Sequence, residues 1–259
     1  EKSIPTILTL LGENVTRPEV AEVVARHYAG VLDQARARSS DTYLSVKPTQ
    51  LGIDLDLGHT VERYRTLAAQ AAEIGKLVAI DMEDSSYVDR TLEIYRRLQE
   101  EHSNVAVCLQ SYLHRTADDL ESLLPLNPKI RLVKGAYKEH PSVAYARKRD
   151  VDDSFLRLAK RMLDAVGKNR GTQAYFGTHD PRMVEGVIQL SETLGLDRSS
   201  FEFQMLYGIQ RNLQTRLADT GYRIRVLISY GDAWFPWFMR RLAERPANVF
   251  FVLKNLFAA

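Results

Sequence analysis

The sequence predicts an α/β fold, a single TIM-type (β/α)8 barrel that spans residues 1–259. Apolar runs of strand length alternate with longer amphipathic segments, and this alternation occurs eight times. No shift in composition marks a linker between domains. Alternating strands and helices imply a parallel sheet, and eight units within 259 residues favour a closed barrel over an open doubly wound sheet.

The predicted strands are short, mostly apolar, and end at polar or turn-forming residues: 6–11, 43–47, 77–81, 105–110, 130–134, 172–176, 201–206 and 224–228. The predicted helices cover residues 18–37, 60–74, 86–101, 117–124, 153–166, a segment that starts at Pro181, 212–219 and 232–245. Thr16 is expected to cap the first helix and Asp180 the sixth, with Pro181 at the first helical position. Gly75 is expected to end the second helix.

Composition excludes several classes of protein. A net charge of +2, without a basic run, argues against a nucleic-acid-binding surface. Cys108 is the single cysteine, so an intramolecular disulfide is excluded and a reducing compartment is favoured. The sequence contains no apolar run of 18 residues and no signal peptide. These observations favour a cytoplasmic protein.

The fifth predicted strand carries two cations among apolar residues. Arg131 and Lys134 precede Gly135, which permits close approach of the backbone to a ligand. Cations on a buried strand are costly unless anions meet them. Two interpretations remain open, an anion-binding floor and a pair of structural ion pairs.

In a (β/α)8 barrel, the active site lies at the C-terminal ends of the strands. Polar residues end or follow six predicted strands: Lys47, Asp81, Glu83, Asp84, Gln110, Arg131, Lys134, Thr178, His179 and Gln204. The last predicted helix adds Trp237, Arg240, Arg241 and Glu244 on one face. Each has an ordinary structural explanation alone, but together they predict a cationic site for a phosphate or a carboxylate.

Familiar catalytic and nucleotide-binding motifs are missing. There is no G-x-G-x-x-G, no P-loop, no G-x-S-x-G and no H-E-x-x-H in the sequence. The histidines show no metal-ligand spacing, so we expect a site without a metal.

Seven motifs occur in order along the chain: LSVKPTQLG at 44–52, IDMED at 80–84, LQSY at 109–112, RLVKGAY at 131–137, THDP at 178–181, FQMLYG at 203–208 and RRLAERP at 240–246. Jointly they resemble bacterial monofunctional proline dehydrogenases, and the resemblance runs from about residue 7 to residue 256. It implies a distorted (β/α)8 barrel with FAD at the strand ends. Family members usually begin with helices before the first strand, and we expect these to be missing here.

The resemblance also implies an activity. Family members oxidise L-proline to 1-pyrroline-5-carboxylate, the first step of proline degradation to glutamate, by hydride transfer to the flavin N5. They then pass electrons to a membrane quinone. It therefore implies a cytoplasmic enzyme with peripheral contact at the inner face of the membrane, and it leaves the oligomeric state open.

Site residues are carried over by position. The resemblance assigns Asp81 and Arg131 as catalytic groups. It assigns Lys47, Arg240, Arg241 and Glu244 to the substrate. It assigns Met82, Gln110, Lys134, Gly135, Ala136, Thr178, His179 and, more weakly, Gln204 to the flavin. For Asp81 an orienting role is favoured over a general base, because a carboxylate among cations should have a depressed pKa.

Three positions depart from the family pattern. Leu227 stands where the family usually has a Tyr that packs on the proline ring, and Trp237 replaces another Tyr. Ser229 replaces a Pro. The changes predict a pocket of altered shape. Two consequences stay open: a preference for hydroxyproline or another cyclic secondary amino acid, and weaker turnover of L-proline.

Two further hypotheses belong to other classes. Lys134 or Lys47 could act as a Schiff-base nucleophile in a barrel enzyme without a flavin. The barrel could also bind its ligand without catalysis.

Overall fold

The computed structural model describes residues 4–168 and 171–234. Eight parallel strands close into a barrel in sequence order, and β8 pairs with β1. The strands are β1 (Thr6–Leu10), β2 (Thr42–Val46), β3 (Val78–Ile80), β4 (Val105–Gln110), β5 (Lys129–Val133), β6 (Gln173–Gly177), β7 (Phe201–Leu206) and β8 (Arg223–Tyr230). This confirms the predicted (β/α)8 barrel.

Helices lie between the strands: α1 (Pro18–Ala37), α2 (Leu57–Glu73), α3 (Val88–Gln99), α4 (Thr116–Leu123), α5 (Lys148–Lys168), α6 (Pro181–Thr193) and α7 (Arg211–Asp219). Short 3-10 turns cover Pro48–Gln50, Ser85–Tyr87 and Leu124–Leu126. Most of the predicted eighth helix, 232–245, lies outside the described residues. The assignment of all 259 residues to one domain therefore stays a prediction.

The helix ends show where local chemistry overrides the apolar pattern. The Asp180 side chain accepts from the Arg182 N–H, and Gly75 has φ +64° after α2, so both predicted signals are confirmed. The predicted Thr16 cap is wrong, because Arg17 occupies the cap position and makes no side-chain cap bond. Helix α5 begins five residues earlier than predicted, since the pairs Lys148–Asp152 and Arg149–Asp153 stabilise its first turns.

Two hydrophobic clusters pack against the two faces of the sheet. The large one lies between the sheet and the helices and includes Tyr28, Tyr64, Phe155 and Phe176. The small one lies inside the barrel and consists of Ile7, Tyr43, Ala79, Ala106 and Tyr175. Because side chains alternate along a strand, the residues that follow Tyr43 and Ala79 by two positions, Ser45 and Asp81, also face the interior.

Among helices in the described ranges, none combines the length and the apolar composition that a membrane crossing requires.

Candidate active site

A buried ion pair crosses the barrel interior toward the C-terminal ends of the strands. Arg131 on β5 donates to the Asp81 carboxylate, which follows β3, and to Ser45 Oγ on β2 at 3.0 Å. Ser45 Oγ donates to Asp81 Oδ1 at 2.6 Å. Lys47 Nζ lies 3.6 Å from Asp81 Oδ2. One carboxylate thus holds two cations from different strands.

The charges in this cluster stabilise one another. Burial raises the pKa of Asp81, but Arg131, Lys47 and the Ser45 hydroxyl lower it more, so the pKa stays below its usual value. Burial lowers the pKa of Arg131, but Asp81 together with Cys108 and Tyr43 more than offsets this, so the pKa stays above its usual value. Since two cations face one carboxylate, the interior retains an excess of positive charge that suits an anionic ligand.

A row of four residues lies beside this cluster. Gln110, Val133, Gly177 and Gln204 are in register across β4, β5, β6 and β7. Gln204 Nε2 donates to Tyr43 Oη at 2.5 Å and to Glu202 Oε1 at 2.9 Å, which places the row inside the barrel. Gln110 Oε1 and Gln204 Oε1 are buried without a hydrogen-bond partner in the described residues. The row therefore offers two acceptors around a flat apolar centre.

Lys134 lies on the other face of the sheet from Arg131. Its ammonium group pairs with Asp152 on α5 and with Asp180 Oδ2 at the start of α6, at 2.9 Å for the latter. The two interpretations of the fifth strand thus apply to different residues. Lys134 is in a structural ion-pair network, whereas Arg131 faces the interior. A flavin contact by Lys134 stays a prediction.

The other predicted flavin residues surround the same rim. Gly135 has φ +119°, and a Cβ there would collide with the Tyr112 ring. Ala136 follows it and is exposed. Thr178 is buried, and the Leu206 N–H donates to His179 Nε2 at 2.8 Å, so the ring proton of a neutral His179 is on Nδ1. The Met82 side chain packs in the outer core. Their roles stay predictions.

Glu83 has a role in the structure that the sequence reasoning did not assign. It is 3% exposed, and its two carboxylate oxygens accept from Thr49 N at 2.9 Å and Thr49 Oγ1 at 2.7 Å. Burial raises the pKa of Glu83 to about 7. The signal in the sequence was the unusual acidity of IDMED directly after an apolar strand.

Arg240, Arg241, Glu244 and Trp237 lie outside the described residues. Leu227 is described: it lies half-buried on β8, pairs with Ile7 and Leu206, and packs against the inner cluster. It therefore forms part of the interior wall. Within residues 4–168 and 171–234, no group of three or more His, Cys, Asp or Glu side chains could hold a metal ion.

We predict that Asp81→Asn destabilises the protein by about 3–5 kcal/mol, because it leaves Arg131 buried without a counter-charge. The free energy of unfolding from denaturant titration measures this. The control is Glu73→Gln, which removes the exposed partner of Arg36 at 2.6 Å and should change stability by less than about 0.5 kcal/mol. Equal effects of the two substitutions would contradict the assignment.

We predict that Glu83→Gln removes a pH-dependent penalty on stability. The pKa of Glu83 rises from 4.5 to about 7 on folding, so the folded state favours the protonated form. Its contribution to stability is therefore greatest below pH 4.5 and falls as the pH rises to about 7. Wild type should lose about 3 kcal/mol more than Glu83→Gln over this range. Parallel stability curves for the two proteins would show that the shift is absent.

Comparison with known proteins assigns the family. A model of the proline dehydrogenase family matches residues 1–254. Proline dehydrogenase 2 of Bacillus subtilis (strain 168) is 36% identical over 265 residues, covering 98% of this chain and 86% of the relative. Proline dehydrogenase of Deinococcus radiodurans is 40% identical over 256 residues, covering 96% of this chain and 80% of the relative.

The fold comparison agrees with the barrel. Proline utilization A from Bdellovibrio bacteriovorus, in a crystal structure of the form inactivated by N-propargylglycine, superposes with a TM-score of 0.84 at 23% identity. The match covers 92% of this chain and 29% of that much longer chain, and at this identity it supports the fold. From the family match and the two curated relatives, this chain belongs to the proline dehydrogenase family.

Proposed function

We propose that this chain oxidises L-proline to 1-pyrroline-5-carboxylate, with FAD as its cofactor and a quinone as the electron acceptor. The observation that carries the proposal is the Asp81 cluster. It presents Lys47 and Arg131 to the barrel interior, beside a row of residues with unpaired buried acceptors. The membership of this chain in the proline dehydrogenase family supports the oxidation of proline.

The row formed by Gln110, Val133, Gly177 and Gln204 fits an isoalloxazine ring. Gly177 has no side chain, and Val133 is apolar, so a flat ring can lie against the centre of the row. Gln110 Oε1 and Gln204 Oε1 remain available to accept from ring N–H groups. FAD held by this row would supply the acceptor for the hydride that leaves the substrate.

The remaining steps fall to the residues of the chain. Lys47 receives the substrate carboxylate, and this fixes the position of the ring C–H bond that breaks. Arg131 would stabilise the negative charge that a bound flavin gains on reduction. Asp81 orients both cations; its depressed pKa makes it a weak base, so we assign it no proton transfer. Arg240, Arg241 and Glu244 complete the substrate site in this proposal.

The proposed electron acceptor has a consequence for where the enzyme is located in the cell. A membrane quinone requires a cytoplasmic enzyme to approach the inner face of the membrane, so we propose a peripheral contact. Reduction of a quinone analogue carried in vesicles, compared with the analogue in detergent, measures this contact.

Anaerobic titration with L-proline tests the proposed reaction. The purified protein, supplied with FAD, should show the visible absorption of an oxidised flavin. L-proline should bleach this absorption and produce 1-pyrroline-5-carboxylate. Flavin binding without bleaching would support a binding barrel. If no flavin binds but borohydride traps a carbonyl substrate on the protein, the Schiff-base hypothesis replaces this one. The ion pairs of Lys47 and Lys134 with carboxylates disfavour the Schiff-base hypothesis.

Leu227 favours a second candidate substrate, hydroxyproline or another substituted cyclic amino acid. Its side chain is shorter than the family's usual Tyr and lies on the interior wall. Space next to the substrate ring would admit a substituent. Trp237, which also departs from the family pattern, lies outside the described residues.

We predict that Leu227→Tyr shifts selectivity toward unsubstituted L-proline. The ratio of kcat/KM for L-proline to that for 4-hydroxy-L-proline should rise about tenfold, a change that corresponds to about 1.4 kcal/mol of differential binding. Leu227→Met, which keeps an apolar side chain of similar volume, is the control and should leave the ratio nearly unchanged. If Leu227→Tyr leaves the ratio of the two kcat/KM values unchanged, Leu227 does not contact the substrate.

A further inference from the structure

We propose that Glu83 is a positioning residue that fixes the turn next to Lys47 and so presets the Lys47 ammonium group for the substrate carboxylate. The inference deepens the proposed function and rests on it. Thr49 belongs to the 3-10 turn Pro48–Gln50, which begins at the residue after Lys47. Both hydrogen bonds from Thr49 to Glu83 therefore act on the backbone that carries Lys47.

The geometry of these bonds restrains the turn strongly. In its ionised form Glu83 is an acceptor only, so the Thr49 N–H and hydroxyl both donate to it. Thr49 is 1% exposed and Glu83 is 3% exposed, so water does not compete for the bonds. Pro48 fixes its own φ, which reduces the freedom of the turn further. Losing the carboxylate would leave the Thr49 N–H buried without its partner.

A second set of bonds holds the other side of the turn. The Gln50 side chain donates from Nε2 to the Leu10 carbonyl at 2.8 Å and accepts from Tyr28 Oη at 3.1 Å. The Lys47 N–H lies 3.4 Å from Gln50 Oε1. This set ties the turn to β1 and α1, whereas Glu83 ties it to the end of β3. Asp81, two residues before Glu83, binds the Lys47 ammonium group itself.

The end of β3 therefore controls Lys47 at two points. Asp81 forms an ion pair with the Lys47 ammonium group, and Glu83 accepts hydrogen bonds from Thr49 in the turn that follows Lys47. Within residues 4–168 and 171–234, the groups that influence the pKa of Glu83 include Lys47 and Asp81, which follow β2 and β3, Tyr64 on α2 and Tyr87, which precedes α3. Lys47 is the only cation among them.

Glu83→Ala is the main test. With the Thr49 bonds removed, Lys47 becomes mobile, so the KM for L-proline should rise about tenfold while kcat changes less than about twofold. Glu83→Gln should rescue, with a KM within about threefold of wild type, because an amide can accept from the Thr49 N–H and donate to its hydroxyl. Thr49→Val removes the hydroxyl bond alone and should raise KM less, so it keeps the test decisive if Glu83→Ala does not fold.

Asp56→Asn is the matched control. Asp56 is another carboxylate in the same connection, and its side chain accepts from the His59 N–H at 2.7 Å at the start of α2. Asn also caps helices well, so this variant should behave as wild type.

A double-mutant cycle separates positioning from a general structural effect. If Glu83 acts through Lys47, Glu83→Ala should raise KM no further in a Lys47→Met background. Hydrogen exchange at the Thr49 amide supplies a readout that needs no turnover, and exchange should accelerate in Glu83→Ala. Additive effects on KM, or faster exchange with an unchanged KM, would overturn the inference.

Failure of the proposed function gives a different result. In that case the wild-type protein itself would not oxidise L-proline, and Glu83 would remain an anchor of the turn without a part in catalysis. If wild type is active and only the cycle is additive, the function stands and the inference falls.

Discussion

The ion pair between Asp81 and Arg131 is the constraint on which the rest of the site depends. Two charged groups inside a barrel cost free energy that their attraction and their hydrogen bonds must offset. Ser45 supplies part of that compensation, since its hydroxyl accepts from Arg131 and donates to Asp81. The pair joins the end of β3 to β5 across the interior, and Lys47 joins it from β2. Strands that are apart in the sheet are therefore held in a fixed relation.

This arrangement explains how a rigid barrel can present a cationic site. The outer core of aromatic and aliphatic residues fixes the strands, and the strand ends then carry the polar groups. The single negative charge of Asp81 balances only one of the two positive charges of Lys47 and Arg131, so positive charge remains to attract an anion. Glu83 and Gln50 restrain the turn after Lys47 from two sides. On the outer face, Lys134, Asp152 and Asp180 tie the end of β5 to α5 and α6.

Much of the fold could be predicted because the strand and helix patterns are strong. The bounds of β4, β7 and α1 coincide with the predicted bounds. Helix starts were less predictable, since ion pairs and caps in the first turn decide them and the apolar pattern does not. The early start of α5 is the main example, with its charged first turns.

The site was predictable in part. The rim residues follow from the position of strand ends, and the Asp81, Lys47 and Arg131 cluster brings three of them together. The separate environments of Arg131 and Lys134 follow from their spacing of three residues, which puts them on opposite faces of a strand. The role of Glu83 could not be predicted, because its partner Thr49 is 34 positions away and only the pairing of β2 with β3 brings them together.

The proposed function requires that the cations of the barrel interior bind the carboxylate of a cyclic amino acid. Anaerobic reduction of the FAD-loaded protein by L-proline and by pyrrolidine, which has the same ring without the carboxylate, tests it most directly. L-proline should reduce the flavin at concentrations at least about a hundredfold lower than pyrrolidine, since pyrrolidine lacks the charge-assisted contacts of the carboxylate. Reduction by both compounds at similar concentrations would show that these cations do not bind the substrate carboxylate.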